Sequence, residues 1–384
     1  MKKTICVVTA TRAEYGLLKP LIFKLKEDKD IDLKVAVTGM HLSPEFGLTY
    51  KEIINDNIEI DEKIEILMSS DTNVGVCKSM AMAMIKFSDY FNRIKPDMLI
   101  ILGDRYEIFS IASVATVLNI PIAHLHGGEL TEGAYDDAFR HSITKMSYLH
   151  FTSCEEYRKR VIQLGENPNR VFNVGAIGLD NVKNSKLLTL KELEESLNFK
   201  LDSPYAVVTF HPETLGDIKV SEQCKNLLEA LDYFKNMKFI ITKANGDNGG
   251  REINKIINEF SAKNKDRIIA VHSLGSIRYL SALKYSTMVI GNSSSGIIEA
   301  PFFKIPTINI GDRQKGRIQG KSIINCISDK NSIINAINMA LSEEFKEEIK
   351  NIENLYGNGD TSLKILNKLK ENLNVNLKKE FYDL

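Results

Sequence analysis

Acidic and histidine side chains are concentrated in two loops of the N-terminal half, and each loop follows a short apolar run. Asp104 and Arg105 lie in the first loop, His126 and Glu129 lie in the second, and Asp136 comes soon after. Neighbouring carboxyl groups raise one another's pKa, and a carboxyl group that titrates near neutral pH can transfer protons to and from carbon. These residues are therefore candidates for acid–base catalysis.

The apolar runs predict the elements that position these side chains. Met98–Leu102 and Ile120–Ala123 have the pattern of buried strands, and Ile108–Leu118 between them predicts a helix. A strand–helix–strand unit places its two strands parallel. Because ligands of open parallel sheets bind beyond the carboxyl ends of the strands, we expect both loops to line one crevice.

Metal binding is an alternative interpretation of the same loops. His124, His126 and Glu129 carry ligand atoms that zinc accepts. However, His124 and His126 would share one face of a strand, and no distal ligand set is evident in the sequence. We therefore favour chemistry without a metal.

A second group of candidates follows the apolar run Met288–Ile290 in the C-terminal half. Ser293 and Ser294 precede residues 297–300, which predict a helix start, so backbone N–H groups and hydroxyls there could bind phosphate. Serine capping of a helix without any ligand is the alternative. Glu299 could accept hydrogen bonds from the two hydroxyls of a ribose; a surface acid without a ligand is the alternative.

Basic side chains that could neutralise a diphosphate lie in other predicted strand-to-helix loops. Arg313 and Arg317 follow the predicted strand Thr307–Ile310, and Arg12 follows the first strand. An exposed basic loop with no ligand is the alternative for the first pair. His211, at the end of another predicted strand, is a candidate ligand or acid–base group.

Composition narrows the class of protein. The 384 residues carry 50 Lys and Arg against 50 Asp and Glu, so no global field attracts nucleic acid or an anionic membrane. Five cysteines without a C-x-x-C pair argue against a zinc site and a disulfide framework. No apolar stretch reaches about 18 residues, and no signal-peptide cleavage pattern is present. We therefore expect a cytoplasmic protein.

The strand-and-helix pattern occurs twice along the chain, which predicts an α/β protein of two domains. Composition becomes polar after about residue 175, so we place an N-terminal domain at residues 1–177 and a C-terminal domain at residues 178–364. The first loop lacks G-x-G-x-x-G, so a dinucleotide fingerprint is missing. The tail from residue 332 onward is predicted to be mostly helical.

Seven motifs, in this order and spacing, resemble the UDP-N-acetylglucosamine 2-epimerase family. The resemblance covers roughly residues 4–370 and is strongest to the hydrolysing branch, which includes the UDP-N,N'-diacetylbacillosamine 2-epimerases. The motifs are TRAEYG (11–16), VTGMHLS (37–43), LGDRYEIFS (102–110), HLHGGELTEGAYDDAFRHSITK (124–145), FHPET (210–214), GNSSSGIIEAP (291–301) and INIGDRQKGR (308–317).

The resemblance implies a fold of the glycosyltransferase-B type. Two Rossmann-like domains would face a cleft, the second would bind most of the nucleotide, and a C-terminal helix at about residues 365–384 would cross back to the first. A homodimer or homotetramer is expected from the family, with no nucleic-acid or membrane partner and no cofactor.

The resemblance also implies roles for individual residues. The expected catalytic groups are Asp104, Glu129, Asp136, His211 and His126. The expected UDP-sugar ligands are Arg12, Arg105, Asn245, His272, Ser293, Ser294, Glu299, Arg313 and Arg317, with Asn245 and His272 near the uridine. Many relatives have Glu where this chain has His126; Glu129 is the nearest carboxylate, so either residue is a candidate for that glutamate's role.

The implied reaction is hydrolysis of a UDP-sugar with inversion at C2. A carboxylate removes the C2 proton while UDP leaves C1, and water then adds to the resulting glycal as a proton returns to the other face. With UDP-N-acetylglucosamine the products are N-acetylmannosamine and UDP, for synthesis of sialic-acid-type sugars. The alternatives are UDP-2,4-diacetamido-2,4,6-trideoxyglucose as substrate, on the way to legionaminic acid, a glycosyltransferase, or a non-catalytic nucleotide-sugar binding protein.

Overall fold

The computed structural model describes residues 2–68, 72–130, 135–212, 219–244 and 250–384. The chain forms two compact units, one of Met1–Asn181 with Tyr356–Leu384 and one of Val182–Leu355. Each unit is a parallel sheet with helices packed against it, which confirms the α/β prediction of two Rossmann-like domains. None of the described helices is long and apolar enough to cross a membrane.

The sheet of the first unit has the strand order β3-β2-β1-β4-β5-β6-β7. Its strands are β1 (Lys3–Thr9), β2 (Ile31–Thr38), β3 (Glu62–Ile64), β4 (Met98–Leu102), β5 (Ile122–Leu125), β6 (Leu149–Thr152) and β7 (Val171–Asn173). The helices from the start of the chain to Asn184 are α1 (Arg12–Glu27), α2 (Tyr50–Asn55), α3 (Asn73–Ile94), α4 (Tyr106–Val117), α5 (Tyr135–Met146), α6 (Glu155–Gln163) and α7 (Gly178–Asn184).

The sheet of the second unit has the strand order β10-β9-β8-β11-β12-β13. Its strands are β8 (Tyr205–Thr209), β9 (Lys238–Thr242), β10 (Ile268–Val271), β11 (Met288–Gly291), β12 (Thr307–Ile310) and β13 (Ile323–Cys326). The helices are α8 (Leu190–Leu197), α9 (Val220–Tyr233), α10 (Gly250–Lys263), α11 (Gly275–Tyr285), α12 (Ser295–Ile298), α13 (Lys330–Leu341) and α14 (Glu343–Lys350); α15 (Thr361–Glu371) then belongs to the first unit.

Both sheets have a point where the strand order reverses, and polar loops lie there. β1 is flanked by β2 and β4, and β8 is flanked by β9 and β11. The connection after β1 therefore runs towards β2, and the connection after β4 runs the opposite way, towards β5. Their divergence opens a crevice at the carboxyl ends of β1 and β4. The central strands are buried on both faces, as β4 illustrates with all five residues buried. The loops after β1, β4, β8 and β11 are thus held by rigid core elements.

Several predicted boundaries were wrong for identifiable reasons. β5 begins at Ile122 rather than Ile120, because Pro121 between them has no N–H to donate to a neighbouring strand. β13, an edge strand of mixed burial, was missed because its four residues show neither alternation nor a long apolar run.

The C-terminal helix is shorter than predicted. Instead of residues 365–384, α15 covers Thr361–Glu371 and the chain after it is not helical. Asn372 ends the helix and donates its amide to the Lys368 carbonyl, and a run rich in asparagine, a poor helix former, follows. α15 nevertheless packs on α1, with Ile365 in the core of the first unit.

The non-helical end of the chain is fastened by a buried carboxylate. Lys379 contacts the fully buried Glu166 at 2.7 Å, and Glu166 is also held by Lys145 at 2.7 Å and by His150 at 3.0 Å. Burial alone would raise the pKa of Glu166, but the hydrogen bonds from His150 and the two lysines lower it to about 2. Nearby, the Phe381 ring lies over the Lys145 ammonium.

We expect Glu166→Gln to destabilise the first unit by roughly 1–3 kcal/mol, because it weakens the hydrogen bonds that Lys145, His150 and Lys379 make to a buried carboxylate. The stabilisation from Glu166 is fully present above pH 4.5, the ordinary value, and is lost as the pH falls towards 2. Urea unfolding of wild type and variant at several pH values measures the difference, which should shrink in acid.

Glu371→Gln is the control, because Glu371 pairs with Lys368 on the exposed surface. It should change stability by less than about 0.5 kcal/mol. Equal effects of the two substitutions would contradict a special role for the buried carboxylate.

Candidate functional site

Three of the predicted acids lie at the carboxyl ends of neighbouring strands in the first unit. Asp104 follows β4, Glu129 follows β5, and Asp136 lies in the first turn of α5. Arg140, one turn further along α5, forms an ion pair with Asp104 and donates to the His126 carbonyl at 2.9 Å. Arg140 therefore ties the loop after β4 to the loop after β5, and sequence reasoning missed it although it lies within one of the motifs.

Ser153 and His126 both contact the Glu129 carboxylate. Its Oε1 accepts from Ser153 Oγ at 2.8 Å and lies 3.0 Å from His126 Nδ1. His126 has a left-handed backbone, with φ of 65°, and this conformation turns the chain out of β5. His126 and Glu129, the two candidates for the role of the family glutamate, are in direct contact. Ser153, at the end of β6, was not predicted.

The electrostatics of the cluster favour a protonated carboxyl group at one position. Burial raises the pKa of Asp136, and the nearby charge of Asp104 raises it further. The positive charges of Arg105 and Arg140 oppose this shift without cancelling it. Asp136 is therefore the acid of this cluster whose surroundings favour its proton-carrying form.

The two arginines expected to bind substrate from the first unit pair with acids of that unit. Arg105 contacts Glu107 at 2.9 Å and lies 3.9 Å from Glu14, both buried. Burial, together with the charge of Glu107, raises the pKa of Glu14 to about 7. Arg12 lies on the surface and pairs with Glu52 at 2.9 Å. Sequence reasoning missed the buried acids because nothing in the motif marks them as neighbours.

His124, one of the three residues considered as metal ligands, instead makes hydrogen-bond contacts within the first unit. Its Nε2 is 2.8 Å from the Gly103 carbonyl, and its Nδ1 is 3.3 Å from Thr144 Oγ1. Complete burial lowers the pKa of His124 to about 3, so the ring is neutral and donates to the carbonyl. Within the described ranges, no group of three His, Cys, Asp or Glu side chains could hold a metal ion.

The serine loop of the second unit differs in one respect from the prediction. α12 begins at Ser295 rather than at residue 297 and has only four residues, because Pro301 cannot continue a helix and restricts the residue before it. A dipole of this length is small. Among the described residues, however, the backbone N–H groups of Ser293 and Ser294 meet no acceptor, so both are available to an anion.

Glu299 is joined to the same loop through Ser295. Tyr279 donates its phenolic hydrogen to Ser295 Oγ at 2.8 Å, and the Glu299 N–H donates to the Ser295 carbonyl at 2.9 Å. Burial raises the pKa of Glu299, and the bond from Ser295 opposes this shift. Tyr279, on α11, was not predicted.

The arginine loop after β12 contacts the serine loop directly. Arg313 donates to the Asn292 carbonyl at 3.1 Å, and the buried Gln314 donates to the same oxygen at 2.9 Å. Arg317 lies one turn further on, and its N–H donates to the Gln314 carbonyl. Asn292 and Gln314 were missed, although each lies inside a motif.

His211 and His272 lie on two further loops of this unit. The backbone of His211, after β8, is held by Asn292, and the imidazole of His272, after β10, accepts from Lys243 at 3.3 Å on the surface. Asn245 lies outside the described residues. The second unit therefore brings serine, histidine and arginine loops to one edge of its sheet, while the acids lie at the corresponding edge of the other sheet.

The two parallel sheets and their loops define an α/β protein of the glycosyltransferase-B type. The family described as UDP-N-acetylglucosamine 2-epimerase matches residues 23–370. The GDP/UDP-N,N'-diacetylbacillosamine 2-epimerase (hydrolyzing) of Campylobacter jejuni is 49% identical over 100% of both chains. The polysialic acid biosynthesis protein P7 of Escherichia coli is 42% identical over 100% of this chain and 98% of its own. This chain therefore belongs to the UDP-N-acetylglucosamine 2-epimerase family.

A solved structure supports the fold independently. The UDP-GlcNAc 2-epimerase from Neisseria meningitidis, bound to UDP-GlcNAc, matches with a TM-score of 0.77. The match covers 96% of this chain and all of that one, at 20% identity. Similarity of backbone over the whole length at this low identity shows that the fold is shared.

We expect Gly291→Ala to destabilise the second unit by at least about 3 kcal/mol, because no side chain fits there. Gly291 has a φ of 137°, and an added Cβ would lie 1.8 Å from the Thr209 carbonyl oxygen. Gly320→Ala is the control, since its Cβ would meet only Leu355, at 4.0 Å. Thermal unfolding of both variants makes the test, and a wild-type melting temperature for Gly291→Ala would contradict the geometry.

Proposed function

We propose that this protein is a hydrolysing 2-epimerase of a UDP-sugar that carries an acetamido group at C2. The observation that carries the proposal is the full-length match, at 49% identity, to a protein named as a hydrolysing 2-epimerase. The clustering of Asp104, Glu129 and Asp136 supports it, because the reaction needs groups that remove and return a proton. A nucleotide-sugar binding protein would have no use for that cluster.

The substrate we propose is UDP-N,N'-diacetylbacillosamine, which is UDP-2,4-diacetamido-2,4,6-trideoxyglucose. The 49% identical relative is named for this sugar, and that similarity extends over both whole chains. UDP-N-acetylglucosamine is the second candidate, favoured by the polysialic acid protein at 42% identity. The first substrate would lead to 2,4-diacetamido-2,4,6-trideoxymannose for legionaminic acid, and the second to N-acetylmannosamine for sialic acid.

The acids of the first unit would divide the proton transfers at C2. Glu129 accepts a hydrogen bond from Ser153 and contacts His126, so its carboxylate is held in place to act as the base. Asp136, whose pKa is raised by burial, would return a proton to the other face of C2. Asp104 would orient Arg140, and its negative charge raises the pKa of Asp136.

His126 would position Glu129 in place of acting as the base. Its Nδ1 lies 3.0 Å from the Glu129 carboxylate, so it can donate to Glu129 while the carboxylate faces the sugar. This assigns the role of the family glutamate to the residue three positions later in the chain.

Departure of UDP must supply much of the driving force, because the C2 proton is weakly acidic. Charge develops on the β-phosphate as the C1–O bond breaks, and donors aimed at that phosphate stabilise the transition state. The N–H groups of Ser293 and Ser294, with the guanidinium of Arg313, would provide them. His211 would protonate or hydrogen-bond the leaving phosphate. Positive charge near it would also come from Arg12, Arg105 and Arg317.

The nucleoside would be bound by other residues. Glu299 would bind the ribose, and Asn245 and His272 would lie near the base.

The first test is proton NMR in D₂O with purified enzyme and each UDP-sugar in turn. We expect UDP and free 2,4-diacetamido-2,4,6-trideoxymannose with deuterium at C2, because the returning proton comes from solvent. UDP-N-acetylglucosamine should react more slowly. Preferential release of N-acetylmannosamine would reverse the order of the two substrates.

Other outcomes of this experiment separate the remaining alternatives. Release of a UDP-linked epimer would indicate a non-hydrolysing enzyme, and turnover only with an added sugar acceptor would indicate a glycosyltransferase. Faster reaction of the GDP-linked sugar would change the nucleotide while leaving the reaction class in place.

We expect Asp104→Asn and Glu129→Gln to lower kcat by at least about 100-fold, the scale of lost proton transfer. UDP affinity, measured by calorimetry, should change by no more than a few-fold, because neither residue belongs to the unit that carries the phosphate donors. Glu156→Gln, an exposed acid of α6, is the control and should be unaffected. Loss of UDP binding in both site variants would show that these acids have a structural role.

A further inference from the structure

Asn292 is the point at which three candidate ligand loops of the second unit meet. It is completely buried and directly precedes Ser293 and Ser294. Its side chain forms a pair of hydrogen bonds with the backbone of His211: Oδ1 accepts from the N–H at 2.8 Å, and Nδ2 donates to the carbonyl at 2.9 Å. The side-chain amide of Asn292 thus bonds the N–H and C=O of His211 as a neighbouring strand would, and it fixes the loop after β8.

The backbone of Asn292 fixes a different loop. Its carbonyl oxygen accepts from Arg313 at 3.1 Å and from Gln314 at 2.9 Å, so both of its lone pairs are used. Gln314 is buried, which makes this contact insensitive to competition from water. The Arg313 side chain is exposed, and the Asn292 carbonyl oxygen holds its guanidinium in place.

The end of β11 is built so that Asn292 can reach both loops. Gly291 approaches the Thr209 carbonyl so closely that no Cβ would fit, and the Asn292 N–H donates to that same oxygen at 3.1 Å. The close approach draws the end of β11 against β8. Asn292 is thereby held by its backbone before its side chain and its carbonyl engage the neighbouring loops.

A buried asparagine can also be purely structural, and this unit contains such a residue for comparison. Asn309, in the adjacent strand β12, is equally buried and donates to Asn325 Oδ1 at 2.8 Å. The side-chain bond of Asn309 ties β12 to β13 and involves no candidate ligand. Both asparagines have buried side-chain amides, Asn292 after β11 and Asn309 in β12. They differ in their partners, because Asn292 bonds a candidate ligand loop and Asn309 bonds the neighbouring strand.

We propose that Asn292 is the positioning residue of the diphosphate site. It sets the His211, Ser293 and Arg313 loops relative to one another before the ligand arrives. Donors that are already in place need no reorganisation when negative charge develops on the leaving diphosphate. The residue itself touches no substrate atom in this scheme. The inference rests on the proposed function, because it assumes that the serine and arginine loops bind the diphosphate of a UDP-sugar.

The test compares Asn292→Ala with Asn309→Ala by calorimetric titration with UDP and by competition with uridine, which has no phosphate. We expect Asn292→Ala to weaken UDP binding by about 10-fold to 100-fold, because the loop that carries His211 loses both hydrogen bonds to the Asn292 side chain. Uridine binding should change by no more than about three-fold, because a misplaced phosphate loop leaves the nucleoside contacts intact. Asn309→Ala should leave both affinities near those of wild type, with a comparable fall in melting temperature.

Gln314→Met is a second variant that keeps the result interpretable if Asn292→Ala does not fold. It removes the donor to the Asn292 carbonyl and preserves side-chain volume, so it should weaken UDP binding in the same pattern but to a smaller extent. Folded Asn292→Ala and Gln314→Met with wild-type UDP affinity would overturn the proposal. Equal losses of UDP and uridine affinity would also overturn it, since they would indicate general loosening of the unit.

The kinetic readout separates this proposal from the proposed function. If wild type hydrolyses the UDP-sugar, Asn292→Ala should raise KM and also lower kcat, because expulsion of UDP depends on the same donors. If wild type hydrolyses none but binds UDP with the pattern above, the proposed function fails while the positioning role stands.

Discussion

Both candidate sites depend on one constraint, the parallel pairing of strands that lie far apart in the sequence. Ile5 is opposite Met98 in the first sheet, and Ala206 is opposite Met288 in the second. Parallel strands all end at the same edge, so loops from distant parts of the chain gather there. The buried strands fix the ends of those loops, and the short bonds between loops then fix their side chains.

The two sheet edges are built for opposite kinds of charge. In the first unit, the acids are accompanied by cations or donors, as Asp104 is by Arg140 and Glu129 by His126, because a buried carboxylate is costly without a partner. In the second unit, the loops are joined by the neutral amides of Asn292 and Gln314 together with the guanidinium of Arg313. Unused N–H groups at Ser293 and Ser294 can then serve an incoming anion.

This division matches the demands of the proposed reaction. Proton transfer at carbon needs carboxyl groups that are held in place, as Glu129 is by Ser153, and Asp136 beside them has a pKa raised by burial. Departure of a diphosphate needs donors that are already in position, which is the task assigned to Asn292. The same chain thus supplies both requirements through ordinary elements: strand ends, short loops and a few buried hydrogen bonds.

The sequence by itself determined the α/β class, the family and several strands to the residue, such as Met98–Leu102 and Thr307–Ile310. Strands buried on both faces leave continuous apolar runs, and motifs keep their order regardless of how the chain folds. Only the tertiary structure decided that Arg140 pairs with Asp104, that Asn292 holds His211, and that the tail leaves the helix after residue 371. Those contacts join residues 36 and 81 positions apart, and such partners are chosen by the path of the folded chain and not by local sequence.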